Sequence, residues 1–500
     1  MNTYKIIPLF WRFVIKGTLL LLLLSAFFSS CKKLVDVDAP ISSTTAEGVY
    51  SSNVTAIGVM TSVYTSFSSG SLGSTTGAFN TITKRAGLSA DELKLWTGAG
   101  VNDIAYYRNN LSSTSPTATG MNTSAGHELW TSLYPFTITC NSIIENVAGA
   151  EALTPAVKTQ LLGEALFTRS FLYFYLVNFY GNVPLVLGTD FEVNRLLEKS
   201  SRETIYDQVI KDLKESDELL SSDYLDGTLL NNTVERVRPT KWAARSLLAR
   251  VYQYSSAWAD AEATSTSVIN QVGVYDTVAL GNVFLRNSKE SIWQLQPVNL
   301  SGTLFWNTEN ARFFVLTAAP TGLNSTHTTY LSPQLEAAFE LNDKRKVNWV
   351  GTHTDATGTY LFSNKYKVAT AKTAIDEYST VLRLGEQYLI RAEARAQQNN
   401  LSGALDDLNV IRVRAGLGKV NFNDKDALLN AILHERQVEL FTEWGHRWFD
   451  LKRTGKVDAV MNIVTPLKAN GAAWRSYQQL YPMPFSDVQR NPNLEQNTGY

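Results

Sequence analysis

Cysteine is nearly missing from this chain. It holds two in 500 residues, Cys31 and Cys140, which excludes a disulfide framework and any cysteine-rich zinc module. Charge of one sign is missing as well. Lys and Arg number 45 against 46 Asp and Glu, a formal net charge of −1, so nothing marks a nucleic-acid partner. Histidine is scarce and scattered, at His127, His327, His353, His434 and His446. Metal ligands would have to be gathered by the fold, and no metal site is expected. His434-Glu435 runs on into Arg436-Gln437-Val438, which excludes the His-Glu-x-x-His zinc helix. There is no Gly-x-Ser-x-Gly elbow and no phosphate loop. No catalytic residue and no cofactor is implied.

A glycosidase needs only two carboxyls, and Asp91-Glu92 is the adjacent pair on offer. Neighbouring side chains in a strand or helix point in different directions. The pair therefore reads as surface charge.

One long apolar run is present, and it lies near the N-terminus. Lys5, Arg12 and Lys16 precede Leu19–Phe28, and Ser29-Ser30-Cys31 closes it. That order is the pattern of a secretory signal, and the run is about half of the roughly 20 residues that a spanning helix needs. The ending resembles the lipobox of bacterial lipoproteins, with Phe28 at a position where Leu is usual. The resemblance implies cleavage before Cys31 and acylation of its thiol, and two lipid chains anchor a protein stably. Residues 1–30 are then a signal peptide, 31–40 a lipid anchor and tether, and 41–500 a body held at a membrane surface. Cys140, inside the apolar stretch Tyr134–Ile144, reads as a buried small hydrophobe.

Apolar residues make up 44% of the chain, enough for a large core. The stretch from Ile41 to about Ala125 is rich in Ser, Thr, Gly and Asn. Only Val54, Ile57, Met60, Val63, Tyr64 and Phe67 fall at helical spacing there, so the spacing predicts one helix followed by long ordered loops. Glu164 to Tyr180 reads as a helix apolar on every side in its second half, buried between other helices. Ser200-x-x-Glu203 reads as a capping box opening the next helix, whose face is Ile205, Val209, Leu213, Ser216 and Leu220. Trp242–Tyr252 with Trp258–Gln271, and Glu386–Gln398 with Leu401–Ala415, read as helix pairs, the last stopped by Gly416. They resemble tetratricopeptide units without a clean 34-residue period. The fold class expected is mostly α: a helical scaffold mainly over 130–271 and 381–455. A loop-rich insertion with short strands, about 272–380, interrupts it.

The C-terminal segments carry a family resemblance. Leu389-Ile-Arg-Ala-Glu-Ala394 leads to Asn409-Val-Ile-Arg-Val-Arg-Ala-Gly-Leu417. Glu435-Arg-Gln-Val-Glu-Leu-Phe-Thr-Glu-Trp-Gly-His-Arg-Trp-Phe-Asp-Leu-Lys-Arg453 follows, and Leu480-Tyr-Pro-Met-Pro-Phe485 begins the tail. This order, with Glu164–Pro184 and Pro239–Tyr254, resembles the SusD/RagB family of nutrient-binding outer-membrane lipoproteins. The resemblance implies a lipid-anchored protein at the outer membrane, facing the outside. It would bind an oligosaccharide, or less favourably a peptide, and deliver it to a SusC-like TonB-dependent β-barrel transporter. It implies no enzyme. The rival readings are a surface glycosidase and a lid that binds nothing itself.

The charges of the C-terminal motif read as structural. Glu435, Glu439 and Glu443 fall at i, i+4 and i+8 on one helix face, and Arg436, Arg447, Asp450 and Arg453 are available to pair with one another or with neighbouring helix ends. Trp444, Trp448 and Phe449 supply core. Pro482, Pro484 and Pro492 predict an extended tail wrapped over the body. In the family, a loop near residues 91–107 contributes to ligand binding. There Trp96 is the leading stacking candidate, with Asn102 and Tyr107 as neighbours. Trp306, in the insertion, is the second stacking candidate. A flat ring covers the C–H face of a pyranose and leaves its hydroxyls free to hydrogen-bond.

Overall fold

A computed structural model describes residues 46–68, 78–113, 125–298, 307–321, 327–468 and 473–500. The signal segment, Cys31, the tether and Trp306 lie outside the described residues. The chain divides into a unit spanning Met1–Val49 and one spanning Tyr50–Tyr500. Of the first, the short helix Ala46–Val49 is described. Everything below concerns the second.

Helix α1 is Asn53–Ser68, and it buries Ile57, Met60, Val63, Tyr64 and Phe67 of the face that the spacing predicts, while Val54, in its first turn, is exposed to solvent instead. The expected loops beyond it are in part regular. They contain helix α2, Ala78–Ser89, strand β1, Leu93–Leu95, and helix α3, Val101–Tyr107. Apolar periodicity missed α2 because its buried residues include two cations: Lys84 and Arg85 lie in the interior beside Ile82 and Ala86.

The scaffold follows. Helix α4 is His127–Val147 and α5 is Pro155–Tyr180. Pro155 opens α5 at its first turn, where its missing N–H costs nothing. From Gly163 to Tyr180 every residue of α5 is buried; the apolar second half is as the sequence predicts, and burial extends beyond it to Glu164 and Arg169, which pair with Arg238 and Asp212. After β2, Val183–Pro184, a short helix α6, Phe191–Asn194, and β3, Lys199–Ser200, comes α7, Arg202–Leu219. Its cap is Ser201, one residue later than expected, with its hydroxyl accepting from the Thr204 N–H at 3.2 Å. Ser200 is spent in β3 instead. Helices α8, Lys241–Tyr254, and α9, Trp258–Ile269, complete the first half.

The insertion holds β4, Ser291–Leu295, α10, Glu309–Phe314, β5, Thr329–Leu331, α11, Pro333–Ala338, and α12, Lys344–Trp349. The hairpin β6, Val350–Asp355, with β7, Gly358–Ser363, and then β8, Ser379–Arg383, close it. The sheets described are antiparallel pairs, β1 with β5, β2 with β3, β4 with β8 and β6 with β7. Strand β4 is buried along its whole length: β8 pairs along its edge, helices α1 and α8 pack on it, and Trp293 lies among Tyr64, Phe167 and Phe171.

Helices α13, Leu384–Gln397, α14, Leu401–Arg414, and α15, Lys425–Glu439, resume the scaffold. Ala415 caps α14, and Gly416 leaves it with φ +79°, a conformation that favours glycine. The packing runs α4 on α5, α5 on α7, α7 on α8, α8 on α9, and then α9 directly on α13. The insertion is thus looped out of a continuous helical array. Helices α16, His446–Arg453, and α17, Val457–Lys468, follow. The tail is not wholly extended as expected. Ser476–Gln479 forms a 3-10 turn, and α18, Phe485–Arg490, starts on Pro484, whose fixed φ suits a helix entry. Among the described residues no helix is long and apolar enough to cross a membrane.

The charged run of the C-terminal motif lies inside the protein. Helix α15 ends at Glu439, so Glu443 sits beyond a turn in which Thr442 has φ +51°. The three carboxylates still converge, on guanidinium groups from the insertion and the scaffold. Arg345 donates to Glu435 at 2.6 Å and to Glu439 at 3.0 Å. Arg383 reaches Glu290 at 2.9 Å, Glu439 at 2.7 Å and Glu443 at 2.7 Å. Arg414 bridges Glu290 and Glu439, and Lys365 holds Glu443. Arg345, Glu290, Glu435 and Glu439 are completely buried. Burial alone would raise the Glu439 carboxyl, but Arg414, Arg383 and Arg345 hold it well below the usual range. A second cluster sits beside it, where Asp450 accepts from Arg436 at 2.7 Å and from Arg453 at 2.8 Å.

Candidate ligand-binding site

Strand β1 alternates in burial: Leu93 and Leu95 point inward and Lys94 outward. Its partner β5 does the same, with Tyr330 outward and opposite Lys94. The Lys94 ammonium lies 5.8 Å from the Tyr330 ring centre. On the other side Tyr360 of β7 meets Tyr330 edge to face at 5.2 Å. Two half-buried tyrosines and a lysine thus form an outward-facing surface across three strands.

Trp96 continues this surface. Its N–H extends the β1–β5 ladder by donating to the Thr328 carbonyl at 2.9 Å, and its own carbonyl accepts from Ala99 at 3.1 Å. The indole lies on the backbone of Gly98: a Cβ there would stand 2.2 Å from the ring. Only glycine permits that approach. Trp96 is half-buried, as are Asn102 and Tyr107 on α3. Tyr107 rests over the Lys468 ammonium at 5.2 Å, and burial, with Tyr330 nearby, pushes its phenol up to about 12.

The floor beneath is rigid and ionic. Asp103 of α3 binds Lys84 of α2 at 2.6 Å and also Arg85, while Lys84 reaches Thr328 beside β5 at 3.0 Å. One buried lysine therefore ties α2, α3 and β5 together, and burial draws it down to about 8. Lys468, from the end of α17, donates to the carbonyls of Leu88 at 2.6 Å, Ser89 at 3.3 Å and Ala90. It satisfies the open C-terminus of α2, and burial takes it down to about 7.

Asp91 and Glu92 are not a surface pair. Both are buried. Asp91 accepts two hydrogen bonds from Arg447, at 2.8 and 2.7 Å, and Glu92 accepts the Thr442 N–H at 2.7 Å. Burial pushes the Glu92 carboxyl up to about 7, against the pull of the Thr442 bond and Lys365. Both acids are committed to structure, so neither presents a free carboxyl to a ligand.

Trp96, Asn102 and Tyr107 thus come from one strand end and the helix after it. Helix α10, which starts three residues after Trp306 in the sequence, touches the same floor: Lys84 lies 5.9 Å from the Phe313 ring. Lys94, Tyr330 and Tyr360 were missed from the sequence. The alternation in Thr329-Tyr330-Leu331 is a signal for one of them, but its pairing with β1 spans more than two hundred residues of chain. Among the described residues no group of three His, Cys, Asp or Glu is placed to hold a metal.

Two family models match this chain, described as "SusD family" over residues 305–500 and "Starch-binding associating with outer membrane" over residues 95–253. The chain is 27% identical over 423 residues to SusD-like protein P38 of Formosa agariphila, covering 74% of this chain and 79% of that one. A SusD-like protein from Bacteroides fragilis superposes with a TM-score of 0.72 at 20% identity, over 93% of this chain and all of that chain. A laminarin-binding SusD-like protein gives 0.68 at 21% identity, over 89% and 99%. This is a helical scaffold of the SusD type with a loop-borne insertion. The chain belongs to the SusD/RagB family.

The buried Glu92 gives a test of the floor. Its folded pKa is above its unfolded one, so between about pH 4.5 and 7 the folded state holds a proton that the unfolded state releases. Stability contributed by this group falls as pH rises through that window. Glu92→Gln keeps an acceptor for Thr442 and removes the titration. The unfolding free energy of the variant relative to wild type should rise between pH 4.5 and 7, by roughly 3 kcal/mol. A difference constant with pH would show that Glu92 does not titrate as its burial requires.

Proposed function

We propose that this protein is a lipid-anchored receptor of the outer membrane, facing outward. It captures an oligosaccharide on the Trp96–Tyr107–Tyr330 surface and passes it to a SusC-like TonB-dependent β-barrel. The observation that carries this reading is a set of half-buried rings, Trp96 at the end of β1, Tyr107 on α3, Tyr330 on β5 and Tyr360 on β7, whose supporting elements α3 and β5 are tied together by buried Lys84. Exposed flat rings on rigid supports suit stacking on sugars, since the ring is preorganised and little order is lost on binding. Asn102 and Lys94 lie beside them to meet hydroxyls, and Trp306 is proposed as a further stacking residue. Family membership, the starch-binding description of one family model and the laminarin-binding relative support a carbohydrate over a peptide. Binding and transfer require no acid–base pair, so no catalysis is assigned.

The anchor is proposed at Cys31, with residues 1–30 removed. A tether of 31–40 spans at most about 3.3–3.6 Å per residue, which keeps the body beside the membrane and within reach of a barrel. Mass spectrometry of the mature N-terminus should find an acylated cysteine there. A mature chain that begins elsewhere, or an unmodified Cys31, contradicts the anchor.

The ligand surface is tested by glycan and peptide arrays probed with the full chain, followed by titration. Trp96→Ala and Tyr330→Ala should each weaken glycan binding by about 1–3 kcal/mol, the cost of one lost stacking contact by analogy with base stacking. Their melting temperatures should stay near wild type. Unchanged affinity in both variants, or binding to peptides alone, contradicts the proposed surface.

A further inference from the structure

A cavity of about 770 Å³ opens between α4, the segment around α6 and the C-terminal helix α18. The size falls within the roughly 300–1,000 Å³ of small-molecule sites. It is separate from the Trp96 surface. Trp130, which lines it, packs on Tyr180 at 5.2 Å, Tyr180 on Tyr481 at 6.2 Å, and Tyr481 on Tyr106 at 5.4 Å. Three buried rings therefore stand between the two surfaces.

The walls combine aromatic faces with fixed polar groups. Trp130 and Tyr134 lie 4.8 Å apart on α4. The Trp130 N–H donates to Asp487 at 3.0 Å, and the Tyr134 hydroxyl donates to the Pro184 carbonyl at 2.9 Å, so both rings are held. Phe191 stands at the rim, 71% exposed, an expensive place for an apolar ring unless something covers it. It is not on a loose loop. Asp190 caps its short helix by accepting from Glu192 and Val193. Asn491 and Asn493 staple the following turn by donating to Leu197 and Leu196, each at 2.7 Å. Arg490 lines the cavity and has no carboxylate partner among the described residues, and Asn194 faces the same space.

Charge and backbone narrow the occupant. Arg195 is paired with Glu192 at 2.6 Å, and Arg490 is balanced in formal charge by Asp487, so the mouth carries no excess of either sign. That disfavours a phosphate or a uronate, which basic clusters recognise. A peptide adding as a strand needs free backbone groups along an edge. Here the carbonyls of Pro184, Val186 and Gly188 already accept from Tyr134, Tyr173 and Asn141. What remains is a neutral ligand with an apolar face and several hydroxyls.

We propose that this cavity is a second saccharide site, which takes a neutral pyranose with its C–H face against Phe191 and Tyr134 and its hydroxyls on Arg490, Asp487 and Asn194. The inference stands on the lining of this cavity and is independent of the Trp96 surface. A chain with two such sites would hold a long glycan at two points, and tethering raises its apparent affinity beyond either site alone.

The test titrates the full chain with maltohexaose, laminarihexaose and cellohexaose, in wild-type and Trp96→Ala backgrounds. Both Phe191 and Arg490 are exposed, and neither side chain has a hydrogen-bond, ionic or ring partner among the described residues, so Phe191→Ala and Arg490→Ala should fold, with melting curves as the control. In the Trp96→Ala background each should weaken the remaining binding by about tenfold or more. Binding abolished by Trp96→Ala and untouched by both variants overturns the second site and leaves the first standing. Binding abolished by Phe191→Ala and untouched by Trp96→Ala supports the second site and removes the first. No response to any of the three oligomers at millimolar concentration, or a Phe191-dependent response to peptides alone, overturns the proposal.

Discussion

The structure turns on a buried set of carboxylates and guanidinium groups around Glu439 and Arg383. Taking such charges out of water costs several kcal/mol each, and only close mutual pairing offsets it. That pairing is met by groups from distant parts of the chain. Glu290 precedes β4, Arg345 lies in α12, Lys365 follows β7, Arg383 ends β8, and Arg412 and Arg414 lie at the end of α14. No subset satisfies the others, so the insertion has to close onto the helical array for either to be stable. The linkage continues outward. Ser363 and Thr442 share a hydrogen bond at 2.6 Å, and Thr442 donates to Glu92, next to β1. The surface that carries Trp96 is therefore fastened to the same interior.

This arrangement fits a receptor. Binding residues commonly sit on loops carried by a rigid scaffold, and here Trp96 follows a short strand whose inward leucines, Leu93 and Leu95, are buried. Lys84, Lys468 and Glu92 are unusual choices for an interior, yet each closes a particular gap: an α2–α3–β5 junction, an open helix end, a lone backbone N–H. Apolar side chains of similar size would leave those groups unsatisfied, at a cost of about 1–3 kcal/mol apiece.

Much of the scaffold was legible in the sequence because it obeys a single period. Ile205, Val209 and Leu213 mark one face of α7, and the unbroken apolar half of α5 could belong only to a helix covered all round. What escaped is what periodicity does not encode. Helix α2 hides a charged buried face. Glu435, Glu439 and Glu443 look like a solvated stripe until Arg345 and Arg383 from the insertion, and Arg412 and Arg414 from the end of α14, are brought onto them by the fold. Of the candidate site, Trp96, Asn102 and Tyr107 were readable because they share one segment. Tyr330 joins them only through the β1–β5 pairing and Tyr360 only through its ring contact with Tyr330, and the Trp130–Phe191 cavity is assembled from three segments whose sequences mark no site.

Native-state hydrogen exchange on wild type and Arg383→Met tests the central claim, that one ionic interior holds scaffold, insertion and the Trp96 surface as a unit. Removing the guanidinium leaves Glu290, Glu439 and Glu443 short of a partner, a loss of about 3–5 kcal/mol. The account predicts that protection falls together in α13, in α15 and in the amides of β1 and β5 beneath Trp96. A loss confined to β8 and its immediate neighbours, with β1 and β5 unchanged, would contradict it.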